Sequence, residues 1–291
     1  MSAQGKAVTP FSEISISRLT TSGKTTHAAI SPDGKYVAHV TADAEGDSLW
    51  VRNVAAPTSV RVAGPAATEY VWVTFAPDGD SVYFLTLDRD KGRTKLYRVA
   101  VLGGPSSMAA YDTGPVDFSP DGGQITFIRA YGDESRLIIA SADGTNERVL
   151  ATRRQPEFFR VDWNAPAWSP NGKTIACQVR LSDERGHYET VIGVSVEDGS
   201  QSPLASERWH YTGQPAWLTD ASGLLVTASE RATAPVQVWH IALDGSPTRR
   251  LTDFKAEQII AFDWSRDGRS LAFIRGVETS DAVLIDNAAS K

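Results

Sequence analysis

One short turn motif recurs six times along the chain, and its period constrains the fold more than any other feature. It reads Ile30-Ser31-Pro32-Asp33-Gly34, Phe75-Ala76-Pro77-Asp78-Gly79, Phe118-Ser119-Pro120-Asp121-Gly122 and Trp168-Ser169-Pro170-Asn171-Gly172. A degenerate copy comes next as Trp217-Leu218-Thr219-Asp220 reaching Gly223, then Trp264-Ser265-Arg266-Asp267-Gly268. Successive glycines are 45, 43, 50, 51 and 45 residues apart. That interval is the length of a four-stranded β-propeller blade.

The motif has a local physical reason. Proline presets φ for the first central position of a tight turn, Asp or Asn suits the next, and glycine takes the following one without steric cost. After each turn comes a run rich in β-branched and aromatic residues: 36–40, 81–85, 124–128, 174–179, 224–228 and 270–274. These are second strands. Third-strand runs come after them at 49–54, 95–101, 136–141, 190–196, 236–243 and 282–286. Four of them end in a glycine turn, at Gly103-Gly104, Asp143-Gly144, Asp198-Gly199 and Asp244-Gly245, which signals a hairpin into a short fourth strand.

The sixth copy runs out of chain after its third strand. Residues 14–20 alternate like a strand, and Arg18-Leu19-Thr20 echoes Arg250-Leu251-Thr252 of the fifth copy. The expectation is an all-β six-bladed propeller with four antiparallel strands per blade, closed where the N-terminal strand completes the last blade. Closure removes bare strand edges that would otherwise invite aggregation. Residues 12–291 then form a single domain, and 1–11 a tail or linker.

Composition narrows the function. With 41% hydrophobic residues the chain has ample core material, and its formal charge of −6 argues against a nucleic-acid binder, which needs a basic face. No apolar run is long enough to span a membrane, and residues 1–11 lack the basic and apolar regions of a secretory signal. The one cysteine, Cys177, sits in an apolar run and reads as a small core residue.

The repeated Ser-Pro-Asp-Gly turn after an aromatic residue resembles the PD40-type (WD40-like) repeats of TolB-like propellers, over nearly the whole chain. A closer likeness lies in residues 16–24, 28–38, 48–52, 213–217 and 223–226. These stretches are similar to the C-terminal propellers of bacterial membrane-anchored serine/threonine protein kinases. In that family a cytoplasmic kinase and a membrane helix precede a propeller that acts as the sensor or interaction part. The resemblance implies an extracytoplasmic location for this chain and makes it the isolated sensor.

No catalytic constellation emerges. Gly23-Lys24-Thr25 and Gly172-Lys173-Thr174 lack the upstream glycine of a phosphate-binding loop, having Arg18 and Ala167 there. The nucleophile elbow is absent too, since Gly193-Val194-Ser195-Val196 continues to Glu197. The histidines His27, His39, His187, His210 and His240 show no metal-ligand spacing. The expectation is therefore no catalytic residue, no metal and no cofactor.

Strand geometry places the tight motif turns on one rim and longer, chemically richer loops on the other. Binding residues concentrate on such loops over a rigid scaffold. Two inter-blade stretches stand out there. Residues 155–164 carry Phe159, Arg160, Asp162, Trp163 and Asn164, and residues 206–214 carry Trp209, His210, Tyr211 and Gln214. His27, Tyr70 and Trp72 occupy similar entries in the first two copies. Aromatic rings beside a few polar groups are what ligand and peptide sites use; the alternative is that these rings cap the larger blades and fill gaps between them. The functional expectation is a non-catalytic module taking a protein, peptide or small ligand at this rim, as a kinase sensor. The alternatives are a TolB-like periplasmic scaffold and an accessory propeller of a peptidase.

Overall fold

A computed structural model describes residues 19–20, 22–56, 58–255, 258–266 and 270–276. The described residues form six antiparallel sheets, each following the last along the chain. Blade 1 holds β1 (Thr25–Ile30), β2 (Tyr36–Asp43), β3 (Gly46–Asn53) and β4 (Ser59–Ala66). Blade 2 holds β5 (Glu69–Phe75), β6 (Ser81–Asp88), β7 (Arg93–Ala100) and β8 (Ser107–Tyr111). Blade 3 holds β9 (Asp117–Phe118), β10 (Gln124–Tyr131), β11 (Glu134–Ser141) and β12 (Arg148–Arg154). Blade 4 adds a strand: β13 (Phe158–Phe159), β14 (Ala167–Trp168), β15 (Thr174–Asp183), β16 (Gly186–Ser195) and β17 (Gln201–Pro203). Blade 5 holds β18 (Tyr211–Trp217), β19 (Gly223–Ser229), β20 (Gln237–Ala242) and β21 (Arg249–Arg250). A two-stranded sheet of β22 (Gln258–Trp264) and β23 (Leu271–Gly276) comes last.

The described residues thus carry five full blades and a shorter sixth sheet, against an expected six full blades. That sheet lies against blade 1: the Ile30 N–H donates to Asp263 Oδ2 at 2.9 Å, and Ala272 packs with Ile30 and Val37. The strands expected to complete it, at 282–286 and 14–18, lie outside the described residues, and so does the expected closure of the ring.

The motif turns of blades 1, 3 and 4 are built alike. In blade 1 the Gly34 N–H donates to Ser31 O at 2.9 Å, and the Ser31 hydroxyl donates to Asp33 Oδ1 at 2.8 Å while accepting the Tyr36 N–H. Ser119 with Asp121 and Ser169 with Asn171 repeat the arrangement. The turn glycines Gly34, Gly79, Gly122 and Gly172 sit at φ between 72° and 78°, a region that Cβ-bearing residues avoid. Blade 5 corrects the sequence reading. Ala221, not Gly223, closes that turn, at φ 57° with its N–H on Leu218 O. Gly223 instead opens β19, where a Cβ would stand 2.4 Å from Ile241 O.

Strand alternation sends side chains to opposite faces of each sheet, so the core is a series of layers between neighbouring blades. Val40, Leu49 and Val51 of blade 1 meet Tyr70, Val73 and Phe84 of blade 2. Ile175, Cys177 and Val179 meet blade 3, while Ala176 and Val191 face blade 5. Cys177 is fully buried, and burial pushes its thiol pKa up, as expected for a core residue.

Polar side chains near the start of the third strands then fasten each blade to the chain segment after it. Asp47 accepts the Tyr70 N–H at 2.7 Å and Ser135 the Phe159 N–H at 2.8 Å. Glu189 accepts the Thr212 N–H at 2.8 Å and Gln237 the Phe254 N–H at 3.0 Å. In blade 2 the Thr94 hydroxyl donates to Thr113 O at 2.6 Å. These contacts satisfy backbone groups where the chain leaves one sheet for the next.

Candidate functional site

The innermost strands surround a cavity of about 280 Å³ at the channel mouth. One wall comes from blade 1 and the sixth sheet, through Thr26, His27, Phe262 and Asp263. Blade 2 contributes Trp72 and Thr74. The facing wall is residues Arg160, Asp162, Trp163 and Asn164 from the connection between β13 and β14, with Tyr211 and Gln214 of β18. Five of the six sheets therefore reach one space.

Blade 4 can supply that wall because its inner edge is split. Phe158–Phe159 pairs with β15 at Val179 and Arg180, Ala167–Trp168 pairs with β15 at Ile175 and Ala176, and the residues between leave the sheet. The sequence reads 155–164 as an open connection; β13 is the difference. It forms because Phe159 is fully buried in the layer facing blade 3 and drags its backbone into register. The excursion is then tied down from both sides. The Asn164 N–H donates to Asp162 Oδ1 at 3.1 Å, the Gln214 N–H to Asn164 Oδ1 at 3.1 Å, and the Ala165 N–H to Gln214 Oε1 at 3.4 Å.

Arg160 joins this wall to the seam beneath it. Its guanidinium lies 3.3 Å from Asp162 and 3.2 Å from the buried Glu189. Within blade 5, Gly213 leaves room for the Thr227 side chain of the neighbouring strand, which a Cβ at this position would meet. Deeper in, Asp117 and Asp263 occupy equivalent positions on β9 and β22, one residue before Phe118 and Trp264. Each reaches the next sheet: Asp117 Oδ2 accepts the Trp168 N–H at 2.6 Å, as Asp263 does that of Ile30.

Burial governs the protonation states. The Asp263 carboxyl is pushed up to about 6, by burial first and by the neighbouring Asp117 carboxylate, against the Ile30 and Trp264 N–H groups and Arg266. Burial also raises Asp117, which Arg266 opposes. His27 is pulled down to about 4 by burial, with Glu69 opposing, so it is neutral near pH 7. Burial and the Asp162 carboxylate raise the Tyr211 phenol, which stays protonated.

Eight of the twelve residues singled out in the sequence line the cavity: His27, Trp72, Arg160, Asp162, Trp163, Asn164, Tyr211 and Gln214. Phe159, Trp209 and Tyr70 are buried in the layers between blades, where a ligand at the mouth does not reach them. Trp209 packs against Trp239 at 6.0 Å between ring centroids. His210 is exposed on the surface and does not line the cavity. The sequence reading misses Thr26, Phe262 and Asp263. They belong to strands flanking the repeat motif, and their place one residue or a few before the turn is the signal that marks a channel-facing position.

No group of three or more His, Cys, Asp or Glu side chains among the described residues is arranged to hold a metal ion. A Ser–His contact does occur, Ser182 Oγ to His187 Nδ1 at 2.7 Å, but it sits exposed at the β15–β16 hairpin tip, and the adjacent Asp183 is engaged by Arg208. No helix of the described residues is long and apolar enough to cross a membrane.

Comparison with solved structures sets the architecture in context. A TolB candidate from Agrobacterium tumefaciens superposes with a TM-score of 0.67 at 20% identity, covering 87% of this chain and 91% of that one. The fold is a TolB-like β-propeller. An oligogalacturonate lyase in complex with manganese matches with a TM-score of 0.63 at 16% identity, over 88% of this chain and 75% of the lyase. TolB from Acinetobacter baumannii matches at 0.52 and 14% identity, over 86% and 65%. At these identities the likeness shows the propeller architecture alone. An uncharacterised protein of Agrobacterium fabrum is 26% identical over an alignment of 168 residues that covers 54% of this chain and 52% of that protein. The chain thus spans about half the length of this curated relative. No family profile matches the chain.

Proposed function

We propose that this propeller is a non-catalytic recognition module that takes its ligand or partner at the channel mouth. We assign it as the sensor or interaction part of a bacterial membrane-anchored serine/threonine kinase. One observation carries the reading. The cavity offers rings from Trp72, Trp163, Tyr211 and Phe262 beside a few fixed polar groups, the make-up of a recognition site. Among the described residues lining it there is no Ser, Cys or Lys. Both lining carboxylates are engaged in structural contacts, Asp162 with Arg160 and the Asn164 N–H, Asp263 with two backbone N–H groups. With both carboxylates committed in this way, what the lining offers a guest is aromatic faces and fixed polar groups.

Trp163 is the residue to test, since it is 44% exposed and its loss leaves the core intact. A panel of short peptides and small metabolites screened by ligand-observed NMR is expected to yield binders. Trp163→Ala is expected to weaken them about tenfold, the loss typical of a central aromatic contact, with thermal unfolding unchanged. Binders indifferent to Trp163→Ala would overturn the reading. The kinase assignment is checked in the gene: a kinase domain and membrane helix encoded upstream support it, a fused hydrolase domain overturns it.

A TolB-like scaffold is the second reading, supported by the shared architecture. It differs in expecting a protein partner spread over the rim, so that substitutions at exposed rim residues outside the cavity, such as His210, would weaken binding as much as Trp163→Ala.

A further inference from the structure

The cavity has a chemical bias that the proposed recognition role leaves open. Its lining holds two carboxylates, Asp162 and Asp263, against one guanidinium, that of Arg160. That guanidinium is already held between Asp162 and the buried Glu189, so its charge is spent within the protein. Deeper lie a third carboxylate, Asp117, and one further cation, Arg266, which act on Asp263 with opposite sign. The carboxylates Asp117, Asp162, Glu189 and Asp263 still outnumber the guanidiniums Arg160 and Arg266. His27 is neutral near pH 7 and adds no positive charge. The mouth therefore presents net negative charge beside aromatic rings.

Rings and carboxylates together select a particular guest. An aromatic face is negative at its centre and attracts a cation, most strongly where water is displaced. Nearby carboxylates add Coulombic attraction while repelling phosphates and other carboxylates. The volume is small for a ligand pocket, so it admits a small molecule or a single side chain, not a folded surface. The exposed Trp163 lines the cavity beside Asp162 and can cover the alkyl part of such a guest.

Resting on the recognition reading above, we infer that the channel mouth is a site for an organic ammonium group, held between the aromatic rings and the Asp162 and Asp263 carboxylates. The ammonium can belong to a free small amine or to a lysine side chain of a partner peptide. Binding is coupled to the ionisation of Asp263. A cation favours the charged carboxylate, so affinity rises with pH as Asp263 loses its proton, near pH 6. The other charged groups facing Asp263 are Asp117 and Arg266. Burial raises Asp117 in the same direction, and Arg266 opposes the rise of both carboxylates.

The test uses choline and its uncharged isostere 3,3-dimethylbutan-1-ol, titrated into the protein by calorimetry with tryptophan fluorescence as second readout. Choline is expected to bind at least tenfold more tightly than the alcohol, and more tightly at pH 7 than at pH 5. Trp163→Leu keeps apolar bulk but removes the ring face, and is expected to cost choline about fivefold and the alcohol little. Asp162→Asn keeps an oxygen able to accept the Asn164 N–H while removing the charge, and is expected to weaken choline but not the alcohol. Nα-acetyl-lysine-N-methylamide then separates the sources: binding tighter than choline points to a lysine side chain, the reverse to a free small ammonium compound. Equal binding of choline and the alcohol would overturn the ammonium site and leave the recognition role standing. A preference for acetate or inorganic phosphate over choline would overturn it too. If neither compound binds while other ligands still depend on Trp163, the inference fails alone; if nothing depends on Trp163, the recognition reading fails with it.

Discussion

The seam between blades 1 and 2 and the seam between blades 4 and 5 do the same structural work with opposite materials. The first is apolar: Val40, Leu49, Tyr70, Val73 and Phe84 fill it, with Tyr70 and Phe84 rings 5.0 Å apart, and Asp47 fastens a single N–H across it. The second keeps apolar contacts through Val191, Trp209 and Leu224 but adds a buried polar group. Glu189, 2% exposed, accepts both the N–H and the hydroxyl of Thr212 and pairs with Arg160. Gln178, fully buried, makes no side-chain hydrogen bond to a described residue. The difference follows from position. The second seam carries the cavity wall, and the groups that hold Arg160 and Tyr211 in place must continue inward until each charge meets a partner.

The largest effect that would break the comparison comes from Glu189→Ala. It leaves the Thr212 N–H without its acceptor and Arg160 with Asp162 as its remaining carboxylate partner, and is expected to cost about 4 kcal/mol in urea denaturation, the size of losing one partner of a buried pair. Asp47→Ala removes one charge-assisted bond and is expected to cost about 2 kcal/mol. Equal losses would show that the two seams are alike after all.

Asp263 extends the contrast to a third seam, between the sixth sheet and blade 1. Its folded pKa, about 6, lies above the usual carboxylate range, so the unfolded chain gives up this proton first. The stability linked to Asp263 is whole below about pH 4 and drains away as pH rises through about 6. A difference of two units corresponds to about 3 kcal/mol. Asp263→Asn is expected to flatten that slope when unfolding free energies are compared at pH 4, 5, 6 and 7. A parallel pH dependence in variant and parent would remove Asp263 from the account.

The smallest effect serves as the control outside every seam. Ala221 holds the fifth motif turn at φ 57°, where glycine carries no steric penalty. Ala221→Gly is expected to stabilise by about 1 kcal/mol, a rise of about 2 °C in Tm for a domain of this size, without touching ligand binding. A drop in Tm would mean that contacts of the Ala221 methyl outweigh the backbone strain.

Much of this architecture is legible in the residues because the propeller is periodic. The Ser-Pro-Asp-Gly copies announce the turns, and the β-branched runs after them announce the strands. The mouth is readable to the extent that polar and aromatic residues cluster in inter-blade stretches, which places Arg160, Trp163, Tyr211 and Gln214. Burial is not readable there. Phe159 and Trp209 sit among the same polar neighbours but turn into the core, because a two-residue strand and the bridge from Trp209 to Glu189 reverse the side-chain direction. Asp263 and Phe262 escape notice because a strand residue beside the motif looks the same whether it faces the channel or a neighbouring sheet. The fifth turn misleads because a glycine stands two residues beyond the place where the backbone needs one.

The fastenings between sheets have a consequence beyond holding the molecule together. Asp, Thr, Ser, Glu and Gln each perform the same task at a different joint. Because every joint hangs on its own side chain, the strength of each one can be adjusted by a single codon while the sheets on either side stay as they are. A molecule assembled this way can be stiff around most of its circumference and yielding at one chosen hinge.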